Sequence, residues 1–381
     1  MICFGGVDWW YHNRGHYDLQ MMRELSASMP VLYVNSIGMR VPRVREGAMF
    51  LRRVKRKLAS FRRGAVRVRD RFVVFSPVSI PGRRAAGLSR ALLPWQVLRV
   101  ARGMGMRRPL VWVACPPAAR VIERMNAAAL IYQRTDRFEA FHGVDPDEIS
   151  GFDRMLKARA DITLYCSSLL LDEEASACRR ALFVDHGVDY ERFESAGRGA
   201  VAAPADVSSL PRPRVGFIGG IDAHTFDPGL FVKVAAALPE VTFVLVGACS
   251  LPDGWCTLPN VRLLGQRPYE QVAAYMAACD ALIMPWNRSP WIEACNPVKL
   301  KEYLAVGRPV ISTPFYELRK YEGLVRVADT AEGFAAAVRE ALGRPADPEP
   351  GRRRVERATW TAHAARVLEA LAELGVRPSA S

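Results

Sequence analysis

The chain has 381 residues, half of them hydrophobic, and a formal net charge of +14. That length leaves room for two hydrophobic cores, and that composition excludes a disordered or fibrous protein. No apolar run approaches the roughly 18–20 residues of a membrane-spanning helix, and the start, Met1-Ile2-Cys3-Phe4-Gly5-Gly6, lacks the basic and apolar regions of a signal peptide, so a cytosolic chain is expected.

Taken in order, residues 1–5 predict a short strand, followed by a loop through Asp8-Trp9-Trp10 and a helix over about 16–28. Asp8, His12 and His16 cluster around that first loop and are candidates for acceptor contact. The two histidines, four apart, would share a helical face if the helix began at His12, but no further ligand is spaced to complete a zinc site, and plain surface residues are the alternative. A second strand is expected at 30–35.

Between Arg40 and Arg71 stand thirteen Lys and Arg against only Glu46 and Asp70. Within this stretch Leu51, Val54, Leu58 and Phe61 recur at helical spacing beside Arg52, Arg53, Lys55, Arg56 and Lys57. Such a basic amphipathic helix suits an anionic membrane surface, with those five cations as the contact residues. Its bland alternative is a solvated helix whose apolar stripe packs on its own domain. No zinc-finger or RNP pattern accompanies the charge, so nucleic acid is not an expected partner.

Short apolar runs at 72–75, 110–114 and 130–132, separated by helical segments, predict a parallel sheet covered by helices. Asp136, in Gln133-Arg134-Thr135-Asp136-Arg137-Phe138, follows one of these strands, where α/β folds place reactive groups. It is the first candidate for a catalytic base; a helix cap or a partner for Arg134 and Arg137 is the structural alternative. The small, flexible run 195–204 reads as an interdomain linker, with 208–213 beyond it.

The strand–helix alternation restarts at Arg214. Gly219 and Gly220 follow its first strand and allow close approach of a phosphate to backbone, although a simple tight turn explains them equally. His224 follows in the same loop as a weaker diphosphate candidate, and Arg267 is a further candidate for leaving-group charge. A dehydrogenase reading fails, because Gly216-Phe217-Ile218-Gly219-Gly220 lacks the dinucleotide spacing and no acid follows the second strand. No Asp-x-Asp stands as a metal–diphosphate clamp, so no metal and no cofactor are expected.

The stretch Asn296-Pro297-Val298-Lys299-Leu300-Lys301-Glu302-Tyr303-Leu304-Ala305-Val306-Gly307 predicts a helix, with Asn296 as cap, Pro297 at its first position and Gly307 as its stop. A strand over 309–313 follows. Lys299 and Glu302 share one face near the helix start, so Lys299 suits a phosphate and Glu302 a sugar diol. A surface Lys/Glu pair is the alternative. After a Pro-rich connector at 345–350, a last amphipathic helix is expected over about 358–374. The eight cysteines include no Cys-x-x-Cys and read as small thiols rather than a zinc site or disulfide framework.

This stretch resembles the donor-binding segment of GT-B glycosyltransferases, particularly the GT4-like (group 1) enzymes and the xanthan-type glucuronosyltransferases. Val215-Gly216-Phe217-Ile218-Gly219-Gly220 resembles the strand and glycine loop opening their donor domain, and Leu258-Pro259-Asn260-Val261 the connection after its second strand. Ala278-Cys279-Asp280-Ala281-Leu282-Ile283-Met284-Pro285 is similar to the step before the nucleotide-sugar loop, and His186-Gly187-Val188-Asp189 to the end of the acceptor domain. Two features depart from the pattern. Glu293 and Glu302 have eight residues between them rather than seven, and Asp185-His186 replaces the usual Pro-Asn.

The resemblance implies an α/β fold of two Rossmann-like domains facing across a cleft. Residues 1–200 would bind the acceptor and 201–350 the nucleotide-sugar, with the last helix packing back on the first domain. It implies transfer of a sugar from a nucleotide-sugar, UDP by family likeness, to a lipid-linked or glycan acceptor in polysaccharide synthesis. Asp136 would be the base, and Gly219, Gly220, Arg267, Glu293, Asn296, Pro297, Lys299 and Glu302 would bind the donor. The acceptor implies an enzyme lying peripherally on the inner face of the cell membrane. A nucleotide-sugar epimerase on the same fold, and a non-catalytic basic membrane- or nucleic-acid-binding protein, are the alternatives.

Overall fold

Strands flanked by helices on both sides must be apolar on both faces, and the central strands here obey that rule. A computed structural model describes residues 1–11, 15–38, 55, 58–78, 86–344 and 346–375. The chain clusters into two units, Met1–Asp185 with His363–Ser381, and His186–Ala362.

The first unit is built on an eight-stranded sheet of β1 (Ile2–Phe4), β2 (Val31–Val34), β3 (Ala65–Arg69), β4 (Phe72–Phe75), β5 (Leu110–Val113), β6 (Ala129–Arg134), β7 (Ile162–Tyr165) and β8 (Ala181–Phe183), in the order β3-β4-β2-β1-β5-β6-β7-β8. All pairs are parallel except β3 with β4, joined by a turn in which Arg71 takes a left-handed φ of 57°. Every residue of β1, β2, β4, β5 and β7 is buried. By contrast, β3 alternates exposed and half-buried residues, as an edge strand does. It occupies the end of the basic 40–71 segment, where no strand was expected. Of the five cations in the expected membrane helix, Arg52, Arg53, Arg56 and Lys57 lie outside the described residues, while Lys55 is helical and exposed.

The first long helix is Tyr17–Leu25, with His16 as its N-cap. His16 therefore precedes the helix rather than lying on it, and His12 lies outside the described residues. The helix Trp360–Glu373 groups with the first unit from His363 onward, and there Arg180 donates to the Ala370 carbonyl at 3.4 Å.

The second unit carries six parallel strands, β9 (Arg214–Ile218), β10 (Thr242–Val246), β11 (Val261–Leu263), β12 (Ala281–Met284), β13 (Val310–Ser312) and β14 (Arg326–Val327), ordered β11-β10-β9-β12-β13-β14. Its core includes a run of rings, with Phe226 5.0 Å from Phe217 and 5.3 Å from Phe231, centroid to centroid. The run expected as a linker at 195–204 begins inside this unit: Tyr190–Gly197 is a helix with Phe193 and Ala196 buried against Tyr269–Ala277 and Val298–Val306. Gly197 is small for packing rather than flexibility, since a Cβ there would stand 1.9 Å from the Val306 carbonyl oxygen. Cys3, Cys115, Cys166 and Cys279 are buried, and none of the eight thiols forms a disulfide.

Candidate functional site

In an open parallel sheet, a crevice forms beyond the carboxyl ends of two neighbouring strands whose connections run in opposite directions. In the second unit those strands are β9 and β12, with β10 and β11 stacked on one side and β13 and β14 on the other. Gly219-Gly220 follows β9, and Pro285-Trp286 follows β12. The end of β10 closes in behind them, because Gly219 N–H donates to Val246 O at 2.9 Å and a Cβ on Gly247 would stand 1.8 Å from the Gly219 carbonyl oxygen. Glycine at 247 is thus a packing requirement.

Lys299 reaches this spot from the helix Val298–Val306. Its ammonium lies 4.7 Å from the Phe217 ring centroid and 5.3 Å from that of Trp286. A Cβ on Gly219 would stand 2.3 Å from Lys299 Nζ, so the cation rests directly on the glycine loop. Two aromatic faces hold the charge without neutralising it. Burial pushes its pKa below the ordinary lysine value, against the opposing pull of Cys295, Glu302 and Asp222. Nearby, the indole Nε1 of Trp286 and Oδ1 of Asn287 are shut off from solvent without a hydrogen-bond partner.

Glu302, one turn on from Lys299, is buried, and its Oε1 accepts from the Tyr269 hydroxyl at 2.9 Å. Burial raises its pKa to about 7, opposed by the Tyr269 hydrogen bond and the charges of Lys299 and Arg192. Glu302 is therefore not a surface carboxylate, while Lys299 is half-buried.

Other expected members of the site fall elsewhere. Asn296 does not cap the helix: Pro297 is the N-cap, without a side-chain hydrogen bond, and the buried Asn296 accepts from Lys301 Nζ at 3.2 Å. Pro297 precedes the first helical residue rather than occupying it, and Gly307, at φ 78°, ends the helix as expected. Arg267 is spent on its own unit, donating to Tyr275 Oη and Asp206 Oδ2, each at 2.8 Å. His224 is exposed, and its backbone N–H caps onto Asp222 Oδ1 at 2.9 Å. Glu293 is exposed at the end of the short helix Pro290–Glu293, where it lines an open pocket of about 690 Å3 with Arg288, Phe315 and Tyr316.

In the first unit, Asp136 is half-buried directly after β6. The two flanking arginines are engaged with glutamates. Arg134, fully buried, makes two hydrogen bonds to Glu139, at 2.9 and 3.0 Å, and reaches Glu174 at 2.9 Å, while Arg137 pairs with Glu173 at 2.6 Å. Burial alone would raise Glu139 and Glu174, but the Arg134 guanidinium overrides it and holds both below the usual carboxylate range. The N-cap of the short helix after Asp136 is Arg137. Asp8 follows β1, and its carboxylate accepts from Trp10 N–H at 3.0 Å and Ser60 Oγ at 3.1 Å. His16 is exposed. Among the described residues, no group of three or more His, Cys, Asp or Glu is placed to hold a metal ion.

Sequence reasoning missed Phe217, Trp286 and Tyr269, which seat Lys299 and Glu302. They are distant in sequence, and no local spacing links them.

Residues 212–344 match the family described as "Glycosyl transferases group 1". Over 211 residues the chain is 34% identical to a putative teichuronic acid biosynthesis glycosyltransferase, TuaH, of Bacillus subtilis. That match spans half of this chain and about half the length of the relative. Sucrose-phosphate synthase from Thermosynechococcus elongatus superposes with a TM-score of 0.69 at 16% identity, covering 98% of each chain. HepE of Anabaena, solved with UDP and glucose, gives 0.68 at 15% identity, covering 97% of this chain and 99% of that one. The fold is accordingly that of the GT-B glycosyltransferases, α/β with two largely parallel sheets.

Proposed function

We propose that this chain is a glycosyltransferase that moves a sugar from a UDP-sugar to a lipid-linked or polysaccharide-precursor acceptor. The observation that carries the reading is the half-buried Lys299, whose ammonium is held between Phe217 and Trp286 against Gly219. A cation partly withdrawn from water, beside glycine backbone and a helix start, stabilises a departing diphosphate. The group 1 match over residues 212–344 covers this site, and the UDP held by HepE supports the choice of nucleotide. TuaH supports a polysaccharide product.

In this reading the Gly219-Gly220 backbone and Lys299 take the diphosphate, and Glu302 accepts from the ribose diol. Lys299 offsets the negative charge that grows on the leaving oxygen as the glycosidic bond breaks. Asp136 removes the proton of the acceptor hydroxyl, and Asp8 and His16 contact the acceptor. No step needs a metal or a cofactor. Glu293, exposed beside Arg288, contributes to the sugar end of the donor rather than to its phosphates. The basic segment 40–71 holds the enzyme on the inner face of the cell membrane, where a lipid-linked acceptor resides.

The test is UDP release from labelled UDP-sugars, with and without a membrane extract and with EDTA present. Release that depends on the extract, survives EDTA and is lost in Lys299→Ala is the expected outcome. Donor binding unchanged in both Lys299→Ala and Glu302→Ala would remove the site assignment.

A further inference from the structure

Four of the large hydrophobic side chains left exposed in this structure fall within 38 residues of the first unit: Leu58 at 54%, Val78 at 55%, Leu92 at 40% and Trp95 at 57%. Single exposed hydrophobics are ordinary on any surface, but a cluster that includes a tryptophan is not. Hydrogen bonds link the segments that carry these side chains. Gln96, next to Trp95, clamps the Val78 backbone, accepting from its N–H at 2.9 Å and donating to its carbonyl at 3.0 Å. Ser60, two residues after Leu58, and Ser76, two before Val78, share a hydrogen bond of 2.8 Å.

On the helix Ala86–Gly103, Leu92, Trp95, Arg99 and Arg102 follow one another at helical spacing and are all exposed, while Leu93, Val97 and Ala101 face the core. The outward stripe is thus half apolar and half cationic. Arg99 lies over the Trp95 ring, 5.7 Å from its centroid. In sequence, the stretch from Arg71 to Ile122 holds nine arginines and no acidic residue.

We infer that this stripe is a second membrane-docking surface, in which Trp95, Leu92 and Val78 enter the headgroup layer of an anionic bilayer while Arg99 and Arg102 pair with its phosphates. The occupant follows from charge complementarity: exposed Arg99 and Arg102 beside an exposed tryptophan fit an anionic interface, where an amphipathic ring and snorkelling arginines are both satisfied. The inference rests on the peripheral-membrane reading of residues 40–71 and adds a described surface to it.

The experiment is co-sedimentation of the full chain with vesicles of phosphatidylglycerol and phosphatidylcholine, and with phosphatidylcholine alone. The wild type is expected to bind the anionic vesicles in a salt-sensitive way. A Leu92→Ser/Trp95→Ala variant is expected to bind roughly tenfold to a hundredfold more weakly, with its thermal midpoint and UDP binding unchanged. Arg99→Glu/Arg102→Glu should also weaken binding, whereas Val201→Ser, at an exposed apolar site of the second unit, should not. If the wild type ignores anionic vesicles, the membrane reading and this inference both fall. If Leu92→Ser/Trp95→Ala binds as tightly as wild type while alanine at Arg52, Arg53, Lys55, Arg56 and Lys57 releases the protein, only the inference falls. A dimer dispersed by Leu92→Ser/Trp95→Ala, or RNA binding without vesicle binding, would also overturn it.

Discussion

Replacing Gly219 by alanine tests the seat of Lys299 directly. The new Cβ would stand 2.3 Å from Nζ, closer than any contact allows, and Phe217 Cζ at 3.4 Å leaves little room on that side. The atom that must give way is the tip of a flexible side chain, so the fold survives, at a cost of about 1–3 kcal/mol from backbone strain at φ 155°. Lys299, however, is pushed off the loop. Losing one charge-assisted hydrogen bond to a phosphate costs about 1.5–3 kcal/mol, or roughly tenfold to a hundredfold in UDP affinity. On a Lys299→Ala background the clash no longer exists, so Gly219→Ala should then cost little further binding. Calorimetric titration with UDP on the two single variants and the double variant reads this coupling. Strictly additive losses, or a Gly219→Ala enzyme that binds UDP like wild type, would refute the reasoning. Gly247→Ala is the contrast: its Cβ meets backbone, the Gly219 carbonyl oxygen at 1.8 Å, so stability should fall by about 3–5 kcal/mol as well.

Glu302 should make the protein pH-sensitive. Its folded pKa, about 7, lies above the ordinary 4.5, so the folded state holds the extra proton and stability falls as pH rises between those values. The cost at pH 8 is about 3 kcal/mol at most. Glu302→Gln should therefore melt higher than wild type at pH 8 and alike at pH 4, by thermal denaturation, while binding UDP more weakly at pH 8; equal melting at pH 8 would contradict the buried carboxylate. Asp136→Asn should abolish UDP-sugar turnover and leave UDP affinity intact, as read by product release and titration. Arg134→Gln takes the guanidinium from the buried Asp153 and the half-buried Glu139 and Glu174, leaving Lys157 to pair with Asp153 and Glu174. It should destabilise the first unit by about 3–5 kcal/mol in denaturant unfolding.

Where one residue type does one local job, the sequence was readable. Apolar runs such as Phe72–Phe75 and Leu110–Val113 are strands because they are buried on both faces. Gly307 stops its helix because only a left-handed residue fits there. Reading failed where tertiary contacts decide. The alternation of Ala65–Arg69 was hidden by its arginines, which look like a continuation of the basic helix, yet pairing with β4 makes it an edge strand. Gly197 and Gly199 read as linker, but Val306 packs against the first of them. At the site, Lys299 and Glu302 were visible through helix spacing. Their surroundings were not, because Phe217, Tyr269 and Trp286 come from three separate elements and meet them only in the folded unit.

The most direct test of the central claim is a crystal structure of the protein with UDP. The account predicts Lys299 Nζ about 2.7–2.9 Å from a β-phosphate oxygen, the diphosphate against Gly219-Gly220, and Glu302 on the ribose hydroxyls. UDP bound only in the open pocket beside Arg288 and Tyr316, with Lys299 still resting on Phe217 and Trp286 and touching no phosphate, would contradict it.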